Sequence, residues 1–361
     1  MKNVLKRNKK NIFNGMFLII LFMITIYYVF HGSGDSLSEV WAKMQMADQV
    51  WVVLSVVFIV LFIYGESHII HYLFGTFGIR TRRFTCFLYS CAGFFFSCIT
   101  PSASGGQPMQ VYYMKRNRIP IPFATVILMI ITITYKAVLV AVGVWLMLFD
   151  RTFINERLDG IRFVFYLGII LNIICIAAML VLVFNNRLAT NICSVVIRVL
   201  EKLHIMKSDN QRMDRLNDAM EVYRRTAAYL KKHVLVVVKV FVITILQRTA
   251  YFFTTYFIYR SFGLKGTGMY TVVMLQAVIS LSVDMLPLPG GMGISEALFR
   301  VIYLPVFGSN LITAGLVLSR SVSFYTELFV SAVFTMFAHI YIGRFTKKEI
   351  VGADDFNVDY R

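Results

Sequence analysis

Long apolar blocks alternate with short polar segments along this chain, and their lengths separate them into two groups. A helix needs roughly 20 residues to cross the hydrocarbon core of a bilayer. Blocks of about that length or more, which predict full spans, occupy residues 12–30, 50–74, 121–149, 162–184, 234–259 and 311–342. Shorter blocks lie at 84–100, 271–286 and 294–307, next to breaks rich in Pro and Gly at 101–108 and 287–293. The pattern predicts an all-α integral membrane protein.

Charge placement decides whether the chain crosses the membrane at the two breaks or turns back. Cytoplasmic loops of membrane proteins are enriched in Lys and Arg. If both breaks belong to re-entrant hairpins, 25 of the 36 Lys and Arg residues lie on the cytoplasmic side, against 17 if both breaks cross. The sequence therefore predicts six full spans and two re-entrant, Pro/Gly-broken helical hairpins, with both termini in the cytoplasm.

The predicted elements repeat once with inverted topology, an arrangement typical of secondary transporters. The predicted parts are a first membrane repeat over 1–161 with its hairpin at about 84–118, a second, inverted repeat over 162–345 with its hairpin at about 268–307, a cytoplasmic amphipathic helix at about 187–233, and a cytoplasmic tail over 346–361. The apolar run from residue 12 lacks a small-x-small cleavage site, so we interpret it as an uncleaved span.

Composition excludes an ordinary soluble protein, because 58% of the residues are hydrophobic and only 15% are charged. Soluble domains average about 45–50% and roughly 25%. The net charge of +17 would otherwise suggest nucleic acid, but here most of the basic residues lie between the apolar blocks and so report membrane topology. The five cysteines and six histidines show no C-x-x-C or H-x-x-x-H spacing, and we expect no metal and no cofactor.

The two breaks are the first candidate site. A Gly-Gly step at the start of a half-helix frees backbone N–H groups and places the positive end of the helix dipole inside the membrane, which suits a phosphate or a carboxylate. The candidate residues are Pro101, Ser102, Ser104, Gly105, Gly106 and Gln107 in the first break, and Pro287, Pro289, Gly290, Gly291, Gly293, Ser295 and Glu296 in and after the second. The alternative is that the glycines only permit close helix packing.

Ionisable residues within the predicted membrane segments are the second candidate site, because such groups are costly and usually face a cavity or a partner. The candidates are Arg248, Asp284, Glu296, Arg320 and Glu327, with Glu66 and Lys136 as secondary candidates. They suggest a polar route with cations for a lipid phosphate and acids for a cationic headgroup or protons. The alternative for Arg320 and Glu327, seven residues apart, is a structural ion pair. Lys239 lies nearer a span end and is expected to reach the interface.

The motifs at 100–108 (TPSASGGQP) and 287–296 (PLPGGMGISE) resemble the signature loops of the lysylphosphatidylglycerol synthase transmembrane-region, or flippase-like, family. The resemblance covers roughly residues 12–342. It implies a flippase that moves a phospholipid, such as lysyl-phosphatidylglycerol, between the leaflets of a bacterial plasma membrane and contributes to resistance against cationic antimicrobial peptides. Many family members carry an acidic residue and a following Arg in the first loop, where this chain has Gln107 and Gln110.

Two alternatives to a transporter stay open. The family label would be phosphatidylglycerol lysyltransferase, an enzyme that uses lysyl-tRNA. In the bifunctional family protein a separate soluble domain carries out that transfer, and the longest hydrophilic stretch here, 185–233, is too short for one. We therefore expect no transferase activity from this chain alone, and no catalytic residue. The third hypothesis is a membrane scaffold that docks a separate lipid synthase. If the chain is a transporter, we expect its partner to be a membrane phospholipid and we expect it to bind no nucleic acid.

Overall fold

The computed structural model describes residues 36–202, 212–286 and 291–342, and within these ranges the chain forms helices and no strand. The helices are α1 (Leu37–Gln45), α2 (Gln49–Thr76), α3 (Arg83–Ile99), α4 (Gly106–Arg116), α5 (Ile121–Phe149), α6 (Arg151–Arg157), α7 (Arg162–Phe184), α8 (Asn186–Lys202), α9 (Arg212–Lys232), α10 (Val234–Ser261), α11 (Met269–Val283), α12 (Ile294–Arg320) and α13 (Glu327–Tyr341). The predicted span at 12–30, the tail at 346–361, and Pro287, Pro289 and Gly290 lie outside the described residues.

Five helical stretches in the described ranges are long and apolar enough to cross a membrane, which confirms the prediction of a multi-pass, all-α membrane protein. They are Gln49–Thr76, Ile121–Phe149, Asp159–Phe184, Val234–Ser261 and Ile294–Tyr341. Local signals begin several of them. The side chain of Asp48 accepts a hydrogen bond from the backbone of Val50 at the start of α2, and Pro122 occupies the first turn of α5.

The last of these stretches is two elements, because the backbone leaves helical geometry at Gly308, with φ 73° and ψ 161°. Residues eight apart in a straight helix are about 12 Å apart along its axis. A β-carbon on Gly315 would nevertheless lie 2.6 Å from the ring of Phe307. The chain therefore folds back at Gly308, which agrees with the separate blocks predicted at 294–307 and 311–342.

Two pairs of short helices form antiparallel hairpins. In the first hairpin, α3 and α4 are joined by a 3₁₀ turn, Pro101–Ala103, and the side chain of Gln110 packs where a β-carbon of Gly93 would be. In the second hairpin, α11 packs against the first half of α12. The hydroxyl of Tyr303 donates to the carbonyl of Val272 at 2.6 Å near the open end. The first hairpin begins at Arg83 and ends at Arg116, and the second begins at Met269.

Long helices hold the hairpins in place. α2 packs along α10, where Gly65 leaves room for the side chain of Gln247, whose amide donates to the carbonyl of Phe62 at 3.1 Å. α5 packs against α7, and α7 against α11. A β-carbon on Gly168 of α7 would lie 2.8 Å from the carbonyl oxygen of Leu281, so a small residue is required for this close approach.

The segment predicted as one amphipathic helix at 187–233 contains two helices, α8 and α9. The apolar face expected on it includes Tyr223, Ala227 and Leu230, and these side chains are buried in a core that also contains Phe123 of α5. The apolar face of this segment therefore meets protein rather than lipid. It packs against the protein's own helices, because α5 offers an apolar surface next to it.

Candidate functional site

The tips of the two hairpins meet in the interior of the protein. Cys98, at the end of α3, and Met292, in the turn before α12, are both buried in one small apolar cluster with Phe324. Leu328 of α13 packs against the same cluster. Cys98, just before the first break, and Met292, in the described part of the second break, therefore lie together although they are nearly 200 residues apart in the chain.

Internal hydrogen bonds stabilise the first tip. Thr100 Oγ1 donates to the carbonyl of Phe96 at 2.6 Å and accepts from the backbone N–H of Gly105 at 2.8 Å. A β-carbon on Gly106 would lie 2.8 Å from the carbonyl oxygen of Gly93, so this glycine permits close helix packing. The amide of Gln107 donates to Thr132 of α5, which anchors the tip to that span.

The remaining predicted residues of the first break are exposed or form part of the 3₁₀ turn between α3 and α4. Pro101 and Ser104 are exposed, and the backbone of Ser102 forms part of the 3₁₀ turn. The N–H of Ser104 donates to the carbonyl of Pro101 at 3.1 Å. Gly106 therefore permits the close packing of α4 against α3, and Ser104 is exposed at the tip.

The second tip depends on Glu296. Oε2 of this carboxylate accepts from the N–H of Gly293 at 2.6 Å and from Ser295 Oγ at 2.9 Å, which completes the first turn of α12. Gly293 has φ 86° and Gly291 has φ 65°, a left-handed conformation that favours glycine. A carboxylate of the protein itself therefore occupies the helix start that we expected to receive an anionic ligand.

Arg320 binds the other oxygen of Glu296, with Nε 2.6 Å from Oε1. This ion pair joins Arg320 to a residue on the other side of the turn at Gly308. The π-helix Ser321–Thr326, which turns less per residue than an α-helix, lies between Arg320 and Glu327 and changes the seven-residue register that a regular helix would give them. The Thr326 hydroxyl bonds the carbonyl five residues back, that of Ser321, at 3.2 Å.

A second buried ion pair connects the second hairpin to α5. Lys136 Nζ lies 2.5 Å from Asp284 Oδ2, and the two side chains are only 8% and 10% exposed. Asn172 of α7 adds its Oδ1 at 3.4 Å from the same ammonium group, and Met285 its sulfur at 3.0 Å. Asp284 ends α11, so this pair fixes the hairpin tip against two spans.

Three further charges have no ion-pair partner in the described part of the chain. Glu66 of α2 accepts a hydrogen bond from the Gln110 amide at 2.6 Å, and Glu327 accepts one from the Cys98 thiol at 3.6 Å. Arg248 of α10 lies within electrostatic range of both carboxylates and forms no salt bridge with either. All three side chains are half-buried.

The sequence found the charges but missed most of their neutral partners. We did not propose Tyr135, Asn172 or Cys98, which contact charged groups, for the site. Thr132, which contacts Gln107, was not proposed either. Asn172 carries a signal in retrospect, because an amide in the middle of an apolar span needs a polar partner. A tyrosine or a cysteine in a span carries no such signal in the sequence.

The ionisable side chains of this region differ in whether they form ion pairs. Ionisable side chains within spanning helices face a cavity or each other, and irregular backbone at membrane depth lies in protein or against water. Here two of three cations and two of four carboxylates neutralise each other in pairs. One guanidinium and two carboxylates remain outside these pairs.

Comparison with known proteins extends this description. A family model described as "Lysylphosphatidylglycerol synthase TM region" matches residues 15–331. The match includes both hairpins. It also includes the charge cluster, by which we mean the seven charged residues described above: Glu66, Lys136, Arg248, Asp284, Glu296, Arg320 and Glu327. No curated protein matches the chain.

Proposed function

The chain belongs to the lysylphosphatidylglycerol synthase transmembrane-region family, and from this premise we propose that it moves a phospholipid between the two leaflets of a membrane. The observation that carries the proposal is the interior cluster of charges where the two hairpin tips meet. A phospholipid headgroup must leave water to cross the hydrocarbon core, and polar side chains along its route lower that cost.

We further propose that both hairpins are re-entrant and belong to inverted repeats. The fold supports this topology, since each hairpin is made of helices too short to span comfortably, α3 with α4 and α11 with the first half of α12. Discontinuous helices that meet near the midplane are a common way to build a transport site. In this topology both termini are cytoplasmic. We propose that the membrane is the bacterial plasma membrane.

The proposed substrate is an anionic or aminoacylated phospholipid. Arg248 offers a guanidinium for a phosphate, and Glu66 and Glu327 offer carboxylates for an amine. Moving lysyl-phosphatidylglycerol outward would reduce the negative charge of the outer surface and so weaken the binding of cationic peptides.

Reconstitution tests the proposal directly. The purified protein is placed in liposomes that contain phosphatidylglycerol with a fluorescent label, and dithionite is added outside to bleach the outer leaflet. We expect bleaching well beyond half of the label, because lipid from the inner leaflet reaches the outside. A plateau equal to that of protein-free liposomes refutes lipid movement.

Variants test the site separately. We expect Arg248→Ala, Arg320→Ala and Asp284→Asn to slow lipid movement by about tenfold or more, equivalent to a loss of about 1.4 kcal/mol. Lys239→Ala is the matched control, because Lys239 lies on the same helix as Arg248 and is exposed. Wild-type rates in all three site variants would contradict the site assignment while leaving lipid movement standing.

A second experiment separates the proposal from the lysyltransferase and scaffold alternatives. Lipids extracted from a host that expresses this chain are resolved by thin-layer chromatography. A new aminoacyl lipid would favour the enzyme. Normal lipid composition together with lipid movement in liposomes favours the transporter, and lipid movement by the purified chain argues against a purely scaffolding role.

A further inference from the structure

Arg248 differs from the other two cations of the cluster. Lys136 and Arg320 each form an ion pair of 2.5 to 2.6 Å, whereas Arg248 forms no salt bridge or hydrogen bond in the ranges the structure describes. Its Nε is buried and has no hydrogen-bond partner. A buried N–H of a guanidinium left without an acceptor is costly. A movement of Arg248 to a carboxylate would relieve this cost.

Aromatic rings hold the guanidinium in this position. The guanidinium carbon of Arg248 lies 3.9 Å from the centre of the Tyr135 ring and 5.0 Å from the centre of the Phe62 ring. Guanidinium groups stack well on aromatic faces, and the attraction is larger when the pair is shielded from water. Stacking on the rings stabilises the charged guanidinium of Arg248. Unlike an ion pair, it does not neutralise that charge.

The ring of Tyr135 is close to one cation that forms an ion pair, Lys136, and to one that does not, Arg248. Lys136 Nζ is 5.2 Å from the same ring centre, but its charge is already neutralised by Asp284. On the Arg248 side, Glu66 and Glu327 are the carboxylates that act on the guanidinium, and each is held by a neutral donor, Gln110 or Cys98.

We propose that Tyr135 is a positioning residue: its ring holds the Arg248 guanidinium away from Glu66 and Glu327, so that Arg248 stays available to the phosphate of a lipid headgroup. This inference rests on the proposed function for the identity of the anion. It adds that the anion site is created by preventing an internal ion pair. Without the ring, Arg248 would pair with a carboxylate and the phosphate would have to displace it.

Binding of a lipid probe by the wild type, by Tyr135→Leu and by Tyr135→Phe tests the proposal. The probe is fluorescent phosphatidylglycerol in detergent micelles, and its uncharged control is fluorescent diacylglycerol. We expect Tyr135→Leu to weaken binding of the anionic probe by about 5- to 30-fold, the range of a cation–π contact of about 1–2 kcal/mol. Tyr135→Phe keeps the ring and should stay within about twofold of the wild type. Binding of the uncharged control should not change.

Removal of the competing carboxylates is the decisive step. In the Tyr135→Leu background, Glu66→Gln together with Glu327→Gln takes away the groups that would capture Arg248. We expect this triple variant to recover anionic-probe binding to within about threefold of the wild type. A purely structural role of Tyr135 would not be rescued by changes at the carboxylates, so failure to recover overturns the proposal.

Two further measurements keep the outcome decidable. If Tyr135→Leu does not fold, Tyr135→Met has similar bulk without a ring and should show the same weakening and the same rescue. A structure of either variant should show Arg248 within 4 Å of Glu66 or Glu327, and an unchanged Arg248 would overturn the positioning role without reference to any lipid. Absence of probe binding by the wild type would instead count against the proposed function.

Discussion

Replacement of Lys136 by Met is expected to destabilise the protein strongly, because it leaves the buried Asp284 without its partner. At an effective dielectric constant of about 20, unit charges 2.5 Å apart attract by about 6–7 kcal/mol. Dehydration of both ions offsets most of this attraction, so the intact pair contributes little net stability. Removing one ion cancels the attraction and leaves the other dehydrated, which typically costs about 3–5 kcal/mol.

A double-mutant cycle measures this effect. Lys136→Met, Asp284→Leu and the double variant are unfolded with increasing mole fractions of SDS in mixed micelles, and the free energies of unfolding are compared. We expect each single variant to lose about 3 kcal/mol or more and the double variant to lose clearly less than their sum. Lys239→Met, a change of the same kind at an exposed position, should stay within about 0.5 kcal/mol of the wild type. Additive losses in the double variant would refute the reasoning.

Three smaller changes test the packing of the spans, each measured by the same unfolding titration. Gly168→Ala should cost about 1–3 kcal/mol, because its β-carbon would lie 2.8 Å from the Leu281 carbonyl, and an unchanged protein would show that the helices separate freely. Gly75→Ala, in α2 with no atom within 4 Å of the new methyl, should stabilise by about 0.5–1 kcal/mol, and a loss would contradict that open space. Tyr303→Phe removes the buried bond to Val272 and should cost about 0.5–1.5 kcal/mol or more, with no loss indicating that water replaces it.

The fold could be predicted closely from hydrophobic lengths. The blocks at 50–74, 121–149 and 234–259 became α2, α5 and α10 with ends that differ by a few residues. The reason is that membrane insertion depends on the apolar length of a continuous segment, which is local information. The amphipathic segment was less predictable, because whether an apolar helix face meets lipid or protein depends on which surfaces lie beside it.

The candidate site could be predicted as a set of residues but not as a set of contacts. Charges in apolar helices stand out in a sequence, and Arg248, Asp284, Glu296 and Arg320 were identified in that way. Their pairing was not predictable, because Arg320 and its partner Glu296 lie on helix segments separated by the turn at Gly308. A spacing argument works only within one uninterrupted helix.

The sequence by itself determined which segments are helical and apolar, where two Pro/Gly breaks interrupt them, and which charges lie among them. These properties follow from the composition of each segment and its length relative to a bilayer. Only the tertiary structure decided that the two tips meet at Cys98 and Met292, and that Arg248 stacks on Tyr135 while Lys136 pairs with Asp284. Those contacts depend on how the helices are rotated and shifted against one another. Close packing at a few glycines and one π-helical turn sets that arrangement, and neither effect is encoded in the hydrophobic pattern.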